Sequence, residues 1–188
     1  MGRPLTTSEL EDLYRATVHD LLAYVRRRGS GDPENDVAEV YAIAWRRRAD
    51  LPAPMLRRAW LFGTAAKVLQ AGHRRRVAEG HAVAELRHQP AVLPGSAADA
   101  PVVGVVAAAM DRLAPADREV LRLVEWERLT PAELATALGV RPGTARVRLH
   151  RARRALAADP AVRALVEGAP EEDDPALDVR LARAAPQG

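Results

Sequence analysis

The stretch LTPAELATALGVRPGTARVRLHRARRAL, which begins at Leu129, constrains the fold more than any other part of the chain. Thr130 and Glu133 have capping-box spacing and Pro131 suits a first helical turn, which together predict a helix starting here. Gly139 can adopt the left-handed backbone conformation that ends a helix, and the proline three residues later suits the start of the next helix. Two helices joined by a short glycine turn form a helix-turn-helix.

The second helix of this motif is basic over most of its surface. Between Gly139 and Leu156 there are six arginines and a histidine but no carboxylate. Solvated helices usually interleave acidic residues that form i,i+4 ion pairs, so an ordinary solvated face is the less favoured interpretation. Arginine binds phosphates and guanine edges, and we therefore expect this face to contact DNA. The predicted inward stripe of the same helix is Ala145, Leu149, Ala152 and Leu156.

Helical periodicity and helix caps also organise the N-terminal part of the chain. A first helix has capping-box spacing at Thr6 and Glu9, a second begins with Asp32 as its N-cap, and a third covers about residues 55–76. Aromatic residues make up only 4% of the chain, so the core must consist mainly of Leu, Val and Ala, which favours packed helices over sheets. The residues predicted to face inward are Val37, Val40, Tyr41, Ala44 and Trp45 on the second helix and Trp60 on the third.

Several classes of protein are disfavoured by what the sequence lacks. It has no cysteine, so disulfides and thiolate metal sites are excluded, and we expect no metal. Its apolar runs fall short of the roughly 18 residues of a membrane span and its N-terminus lacks a signal-peptide core, which predicts a cytoplasmic protein without membrane insertion. The five histidines are scattered and no phosphate-loop pattern occurs, so an enzyme is a low-ranking alternative and no cofactor is expected.

The chain divides into segments of different composition. Residues 80–101, which include HQPAVLPGSAADAP, predict a flexible linker between two small helical domains, residues 1–79 and 102–158. Residues 159–188 carry seven acids against three arginines, whereas the rest of the chain carries 25 basic against 18 acidic residues. This acidic tail is predicted to be solvated and disordered, although a short helix around Pro175–Ala184 is compatible with its pattern. A sharper alternative is that the tail screens the basic helix in the free protein.

The C-terminal motif resembles a known family. The segment LAPADREVLRLVEWERLTPAELATALGVRPGTARVRLHRARRAL, from Leu113 to Leu156, resembles region 4 of bacterial sigma factors of the extracytoplasmic-function class. In the N-terminal half, PENDVAEVYAIAW, from Pro33, and AWLFGTAAKVLQAGHRRR, from Ala59, are similar to sigma region 2. The resemblance implies an all-α protein with a region 2 domain of three to four helices and a four-helix region 4 domain that contains the helix-turn-helix.

This resemblance implies a function in transcription. A factor of this class binds core RNA polymerase and directs promoter-specific initiation by reading −35 duplex DNA and opening the −10 element; it is not an enzyme. The −35 contacts are implied around the start of the recognition helix, where Arg141 departs from the serine that is common at this N-cap. The matching positions are Arg141, Pro142, Gly143, Thr144, Arg146, Val147, Arg148 and Arg151.

Region 2 carries the polymerase and −10 contacts in this family. The implied polymerase-binding residues, on the second helix and turned away from its inward stripe, are Glu39, Ile43 and Arg46. The implied −10 residues, on the third helix and the loop before it, are Arg58, Lys67, Gln70, Arg74 and Arg75. Lys67, Ala71 and Ala38 differ from the residues that are common in the family at the matching positions, so the −10 preference is expected to differ from that common in the family.

Two further functions remain open at this stage. One is a regulator that binds duplex DNA through the helix-turn-helix and senses a signal through its N-terminal half, without polymerase. The other is an adaptor that binds protein partners through amphipathic helices. Sigma factors of this class are also commonly held by an anti-sigma partner between their two domains, which makes such a protein a candidate partner, although no residue identifies one.

Overall fold

The computed structural model describes residues 4–78 and 100–167, and these residues form eight α-helices and no strand. The predicted all-α class is thus confirmed. Most of the predicted linker and the helix considered around Pro175–Ala184 lie outside the described residues. The helices are α1 (Thr7–Arg27), α2 (Pro33–Arg46), α3 (Arg57–Ala78), α4 (Ala100–Arg112), α5 (Pro115–Glu125), α6 (Pro131–Leu138), α7 (Pro142–Ala157) and α8 (Pro160–Glu167), and a 3-10 turn (Pro54–Leu56) precedes α3.

The helices begin at the caps that the sequence predicts. At the start of α1, the Glu9 amide donates to Thr6 Oγ1 at 3.3 Å and the Thr6 amide donates to Glu9 Oε2 at 2.8 Å. Asp32 Oδ1 accepts from the Asn35 amide at 3.1 Å and so caps α2. These side chains satisfy amide groups that have no partner within the helix, which fixes where each helix starts.

The two halves of the chain pack against each other rather than standing apart. Helices α1, α2 and α3 surround a buried core that includes Tyr24, Val40 and Phe62. Helices α5, α6 and α7 pack together in the C-terminal half, and α3 packs directly against α6. At that crossing Gly63 lies against the backbone of Ala137. One hydrophobic cluster therefore continues through both halves of the described chain.

The prediction that Trp45 faces the core is wrong, whereas Tyr41 is buried as predicted. Trp45 is 37% exposed, and the guanidinium of Arg48 lies 4.5 Å from its ring centroid. Helix α2 ends at Arg46, and the turn that follows brings Arg48 over the indole. A cation–π contact at the surface thus takes the place of burial. Trp60, also predicted to be structural, is half-buried against the core.

Helix α8 contradicts the prediction of a disordered tail from residue 159 onward. Asp159 Oδ1 accepts from the Ala161 amide at 3.0 Å, and its carboxylate pairs with Arg112 on α4 at 2.8 Å. Val162 and Leu165 are half-buried. The signals for this helix were present in the sequence, because Asp159 is a good N-cap and Pro160 a good first helical residue.

Candidate nucleic-acid interface

The helix-turn-helix has the geometry that its sequence predicts. Thr130 and Glu133 form a capping box at the start of α6, and Gly139 ends this helix in the left-handed conformation, with φ of 64°. The Val140 amide donates to the Ala135 carbonyl at 3.0 Å and closes the turn. On α7, the buried residues Ala145, Leu149 and Ala152 form the inward stripe. The turn and this stripe together fix which side of α7 faces solvent.

All eight residues predicted to contact −35 DNA are exposed, and they lie on the first ten residues of α7 or directly before it. Val147 is 68% exposed, which is unusual for an apolar side chain on a helix that otherwise buries its apolar stripe. Arg141 stands at the N-cap and makes no side-chain cap, so its guanidinium is not used to begin the helix. The structure therefore leaves all eight predicted residues accessible to solvent.

The basic surface of α7 is partly neutralised from another helix, which sequence reasoning missed. Arg151 donates to Asp117 Oδ1 on α5 at 2.8 Å, and Asp117 is largely buried. Arg153 pairs with Glu125, also on α5, at 3.1 Å. Arg148, in contrast, makes no hydrogen bond or ion pair with the described residues. Arg151 thus positions α7 on α5 as well as facing solvent, whereas Arg148 is available to a ligand.

The predicted −10 residues fall into two groups. Lys67, Gln70, Arg74 and Arg75 are all exposed on α3. Lys67 and Gln70 line a groove of about 360 Å³ whose opposite wall includes Glu119 and Ala137 of the C-terminal half. Access to these two side chains therefore depends on how the two halves are arranged.

Arg58 is separated from that group by its contacts. Its guanidinium donates to Asp20 Oδ2 at 2.9 Å and to the Glu127 carbonyl at 3.0 Å, and it lies 4.8 Å from the Phe62 ring centroid. In this arrangement Arg58 links α1, α3 and the C-terminal half.

The predicted polymerase-binding residues lie on α2. Glu39 and Arg46 are exposed, as their place on the helical pattern predicts. Ile43, predicted to turn away from the inward stripe, is instead half-buried and packs against the core. It follows the buried Val40 by three residues, a spacing that places it at the edge of the buried stripe.

An ionic cluster joins the two halves, and nothing in the sequence pattern indicated it. Arg28, whose side chain is 8% exposed, donates through Nε and Nη2 to Glu119 at 3.0 and 3.1 Å. Glu127, 3% exposed, accepts from Arg27 at 2.9 Å and from Arg28 at 3.3 Å. The Tyr24 hydroxyl donates to Glu119 Oε1 at 2.8 Å. Burial, assisted by the Glu119 charge, raises the pKa of Tyr24 well above its usual range, which keeps the hydroxyl protonated as a donor.

The described residues offer little support for other kinds of site. They contain no group of three or more acidic or histidine side chains arranged to hold a metal ion. None of their helices is both long enough and apolar enough to cross a membrane.

Comparison with known proteins identifies the C-terminal domain and the fold. Residues 104–156 match the family Sigma-70, region 4. A comparison with curated protein sequences finds no match.

Two solved structures resemble the chain over most of its length. One is the sigma factor RpoE from Bartonella quintana, in complex with the anti-sigma factor NepR, with a TM-score of 0.58 and 19% identity over 80% of this chain and 96% of that chain. The other is CnrH in complex with the cytosolic domain of CnrY, with a TM-score of 0.53 and 21% identity over 87% of this chain and 91% of that chain. Residues 104–156 therefore match the sigma-70 region 4 family, and the chain shares the fold of these two solved structures.

Proposed function

We propose that this protein binds core RNA polymerase and directs promoter-specific transcription initiation, with α7 reading −35 duplex DNA and α3 acting on the −10 element. The region 4 domain and the sigma-factor fold support a role in transcription initiation. The observation that carries promoter reading is the exposed basic surface of α7 within a well-formed helix-turn-helix. Binding to polymerase would place this activity in the cytoplasm.

The −35 contact follows from the orientation of α7. In helix-turn-helix proteins the N-terminal residues of the second helix reach base edges in the major groove. Arg146 and Arg148 are exposed there and can grip phosphates or pair with guanine, and the exposed Val147 can contact a thymine methyl group. The exposed Thr144 adds a short side chain that donates or accepts a hydrogen bond.

The −10 contact requires a change in the arrangement of the two halves. Single-stranded DNA is held by basic side chains together with stacking surfaces. Lys67 and Gln70 border a groove whose opposite wall, which includes Glu119 and Ala137, belongs to the C-terminal half, so that half stands in the way of a DNA strand. We infer that α3 and α6 separate when the chain joins polymerase, so that a DNA strand reaches Lys67, Gln70, Arg74 and Arg75.

The proposed polymerase contact lies on α2. It consists of the exposed Glu39 and Arg46 and of the half-buried Ile43 between them. An anti-sigma protein is a further candidate partner, because RpoE was solved with one. Such a partner would act by holding the two halves so that polymerase cannot bind.

Run-off transcription with purified core polymerase on a pool of promoter fragments tests the proposal. We expect transcripts from a specific subset of fragments, which reveal both promoter elements, and the Arg146→Gln, Arg148→Gln double variant should lose them. A chain that binds duplex DNA but neither associates with polymerase nor produces a start site would instead be a polymerase-independent regulator.

A further inference from the structure

An apolar groove of about 440 Å³ lies on the C-terminal half. It is formed between α4, α5, α7 and α8, and Arg122, Arg128, Glu125 and Arg153 also line it. Its apolar lining includes Val106, Met110, Leu121, Trp126, Leu156 and Val162.

A buried cation, Arg122, lies in this groove and forms no ion pair with the described residues. Arg122 is 9% exposed, and its guanidinium makes no hydrogen bond or ion pair with any residue in the described ranges. It lies 5.3 Å from the Trp126 ring centroid. Burial, together with the neighbouring charge of Arg28, lowers the pKa of Arg122. Glu119 and Asp111 act on Arg122 only through longer-range charge and form no ion pair with it, so a carboxylate from outside the described residues would complete its surroundings.

The charges around the groove favour an acidic occupant. Arg128 lines it and is exposed, while Arg153 is partly neutralised by Glu125 at 3.1 Å. With Arg122, the lining therefore carries three cations against one carboxylate. A ligand that combines apolar side chains with several carboxylates would satisfy both the apolar wall and the buried guanidinium.

We infer that the chain's own C-terminal segment, residues 168–188, docks in this groove, with one of its carboxylates pairing with Arg122. The segment reads GAPEEDDPALDVRLARAAPQG, so four consecutive acids precede Leu177, Val179 and Leu181. This inference is independent of the proposed function.

The connection to α8 makes the contact feasible. Val162 on α8 lines the groove, and α8 ends at Glu167, little more than one helical turn later. An extended chain gains about 3.3–3.6 Å per residue, so the seven residues that end at Asp174 span roughly 23 Å. Because Val162 and Arg122 line the same groove, that reach lets the segment that follows α8 turn back toward it.

Site-specific fluorescence in the full chain tests the inference. Because the chain has no cysteine, an Ala176→Cys substitution allows a single bimane label, whose emission is quenched by contact with an indole. We expect the bimane label to be quenched in the labelled chain. Trp126→Phe should relieve this quenching, because Trp126 is the tryptophan that lines the groove. Excess synthetic peptide of residues 168–188 should also relieve it by displacing the tail.

The charge requirement is tested by two independent variants. Arg122→Gln should reduce the ratio of docked to undocked tail about tenfold, as expected for loss of one charge-assisted hydrogen bond. The second variant neutralises the four consecutive acids of the tail and should show a similar loss of docking. Because its substitutions lie outside the described helices, it still tests the charge requirement if Arg122→Gln does not fold. They are Glu171→Gln, Glu172→Gln, Asp173→Asn and Asp174→Asn. Arg163→Gln, an exposed site on α8, serves as the matched control and should leave quenching unaltered.

Three results would overturn the inference. One is an unquenched label in the unsubstituted chain, and another is quenching that survives Trp126→Phe. The third is release of the tail by Arg148→Gln but not by Arg122→Gln, which would place the tail on the recognition helix instead.

Discussion

Gly63 on α3 lies so close to the backbone of Ala137 on α6 that no side chain fits between them. A Cβ at position 63 would overlap the Ala137 carbonyl oxygen and lie 2.9 Å from its carbonyl carbon. The approach of the two halves is therefore set at a position where only glycine is accommodated. This contact and the Arg28–Glu119 ion pair hold together the two parts that we propose must separate for transcription.

We expect Gly63→Ala to weaken the contact between the halves, because the added methyl group meets backbone that cannot rotate away. The cost should be about 1–3 kcal/mol, as for overpacking at a close-packed site. Small-angle scattering should show a larger radius of gyration, while circular dichroism shows unchanged helix content. Gly104→Ala is the control, since a Cβ there meets no atom within 4 Å. The prediction would be contradicted if Gly63→Ala left the radius of gyration unchanged and raised the stability as much as Gly104→Ala does.

Glu127→Gln should destabilise the same junction through charge rather than through volume. The Glu127 carboxylate is 3% exposed and pairs with Arg27 and Arg28, so the neutral amide leaves the buried Arg28 with less compensation. Removing one partner of a buried ion pair costs roughly 3–5 kcal/mol, and retention of Glu119 should keep the loss near the lower end. Urea unfolding of Glu127→Gln and of the parent protein measures this loss of stability. Glu11→Gln removes an exposed pair with Arg15 and should have little effect, so equal losses in both variants would argue against a special role for the junction.

Local features of the fold could be predicted from the sequence because their causes lie within a few residues. The capping boxes at Thr6 and Thr130 and the turn at Gly139 depend on side chains three residues away or on one backbone conformation. The inward stripe of α7 follows from helical spacing alone. These features position the candidate DNA-contacting surface, which is why its residues could be named in advance.

Contacts between distant segments could not be predicted in this way. Arg28 and Glu119 are 91 positions apart, and their pairing depends on how the two halves pack. The same holds for Arg151 and Asp117, since no acid lies within the basic helix itself. Gly63 offered one weak signal, because a glycine inside a helix costs about 1 kcal/mol relative to alanine and needs a compensating reason.

Tyr41 should make the stability of the protein depend on alkaline pH. Its hydroxyl lies 2.8 Å from Thr17 Oγ1, and burial raises its pKa from 10.0 to about 12. Above pH 10.0 the unfolded chain loses this proton while the folded chain keeps it. The free energy of unfolding should therefore fall by about 1.4 kcal/mol per pH unit up to about pH 12 from this group.

Denaturant titrations between these pH values test the effect. Tyr41→Phe should remove that part of the slope, whereas Trp60→Phe, a conservative change without a titratable group, should retain it. Tyr24, whose pKa burial also raises, adds to the slope with the same sign and remains in both variants. Identical slopes in Tyr41→Phe and the parent protein would refute the assignment.

Arg148 and Arg151 should differ in how they affect DNA binding and folding, although both lie on the exposed side of α7. Arg148→Gln should weaken binding to the selected −35 duplex and lower the slope of log affinity against log salt by about one, without changing stability. Arg151→Gln should also destabilise the domain, because it leaves the largely buried Asp117 unpaired. Binding isotherms at several salt concentrations, paired with thermal unfolding, separate the two effects. Arg163→Gln on α8 removes the same charge away from this surface and controls for net charge. If all three variants lose affinity equally, the protein binds DNA through its overall charge rather than through this helix.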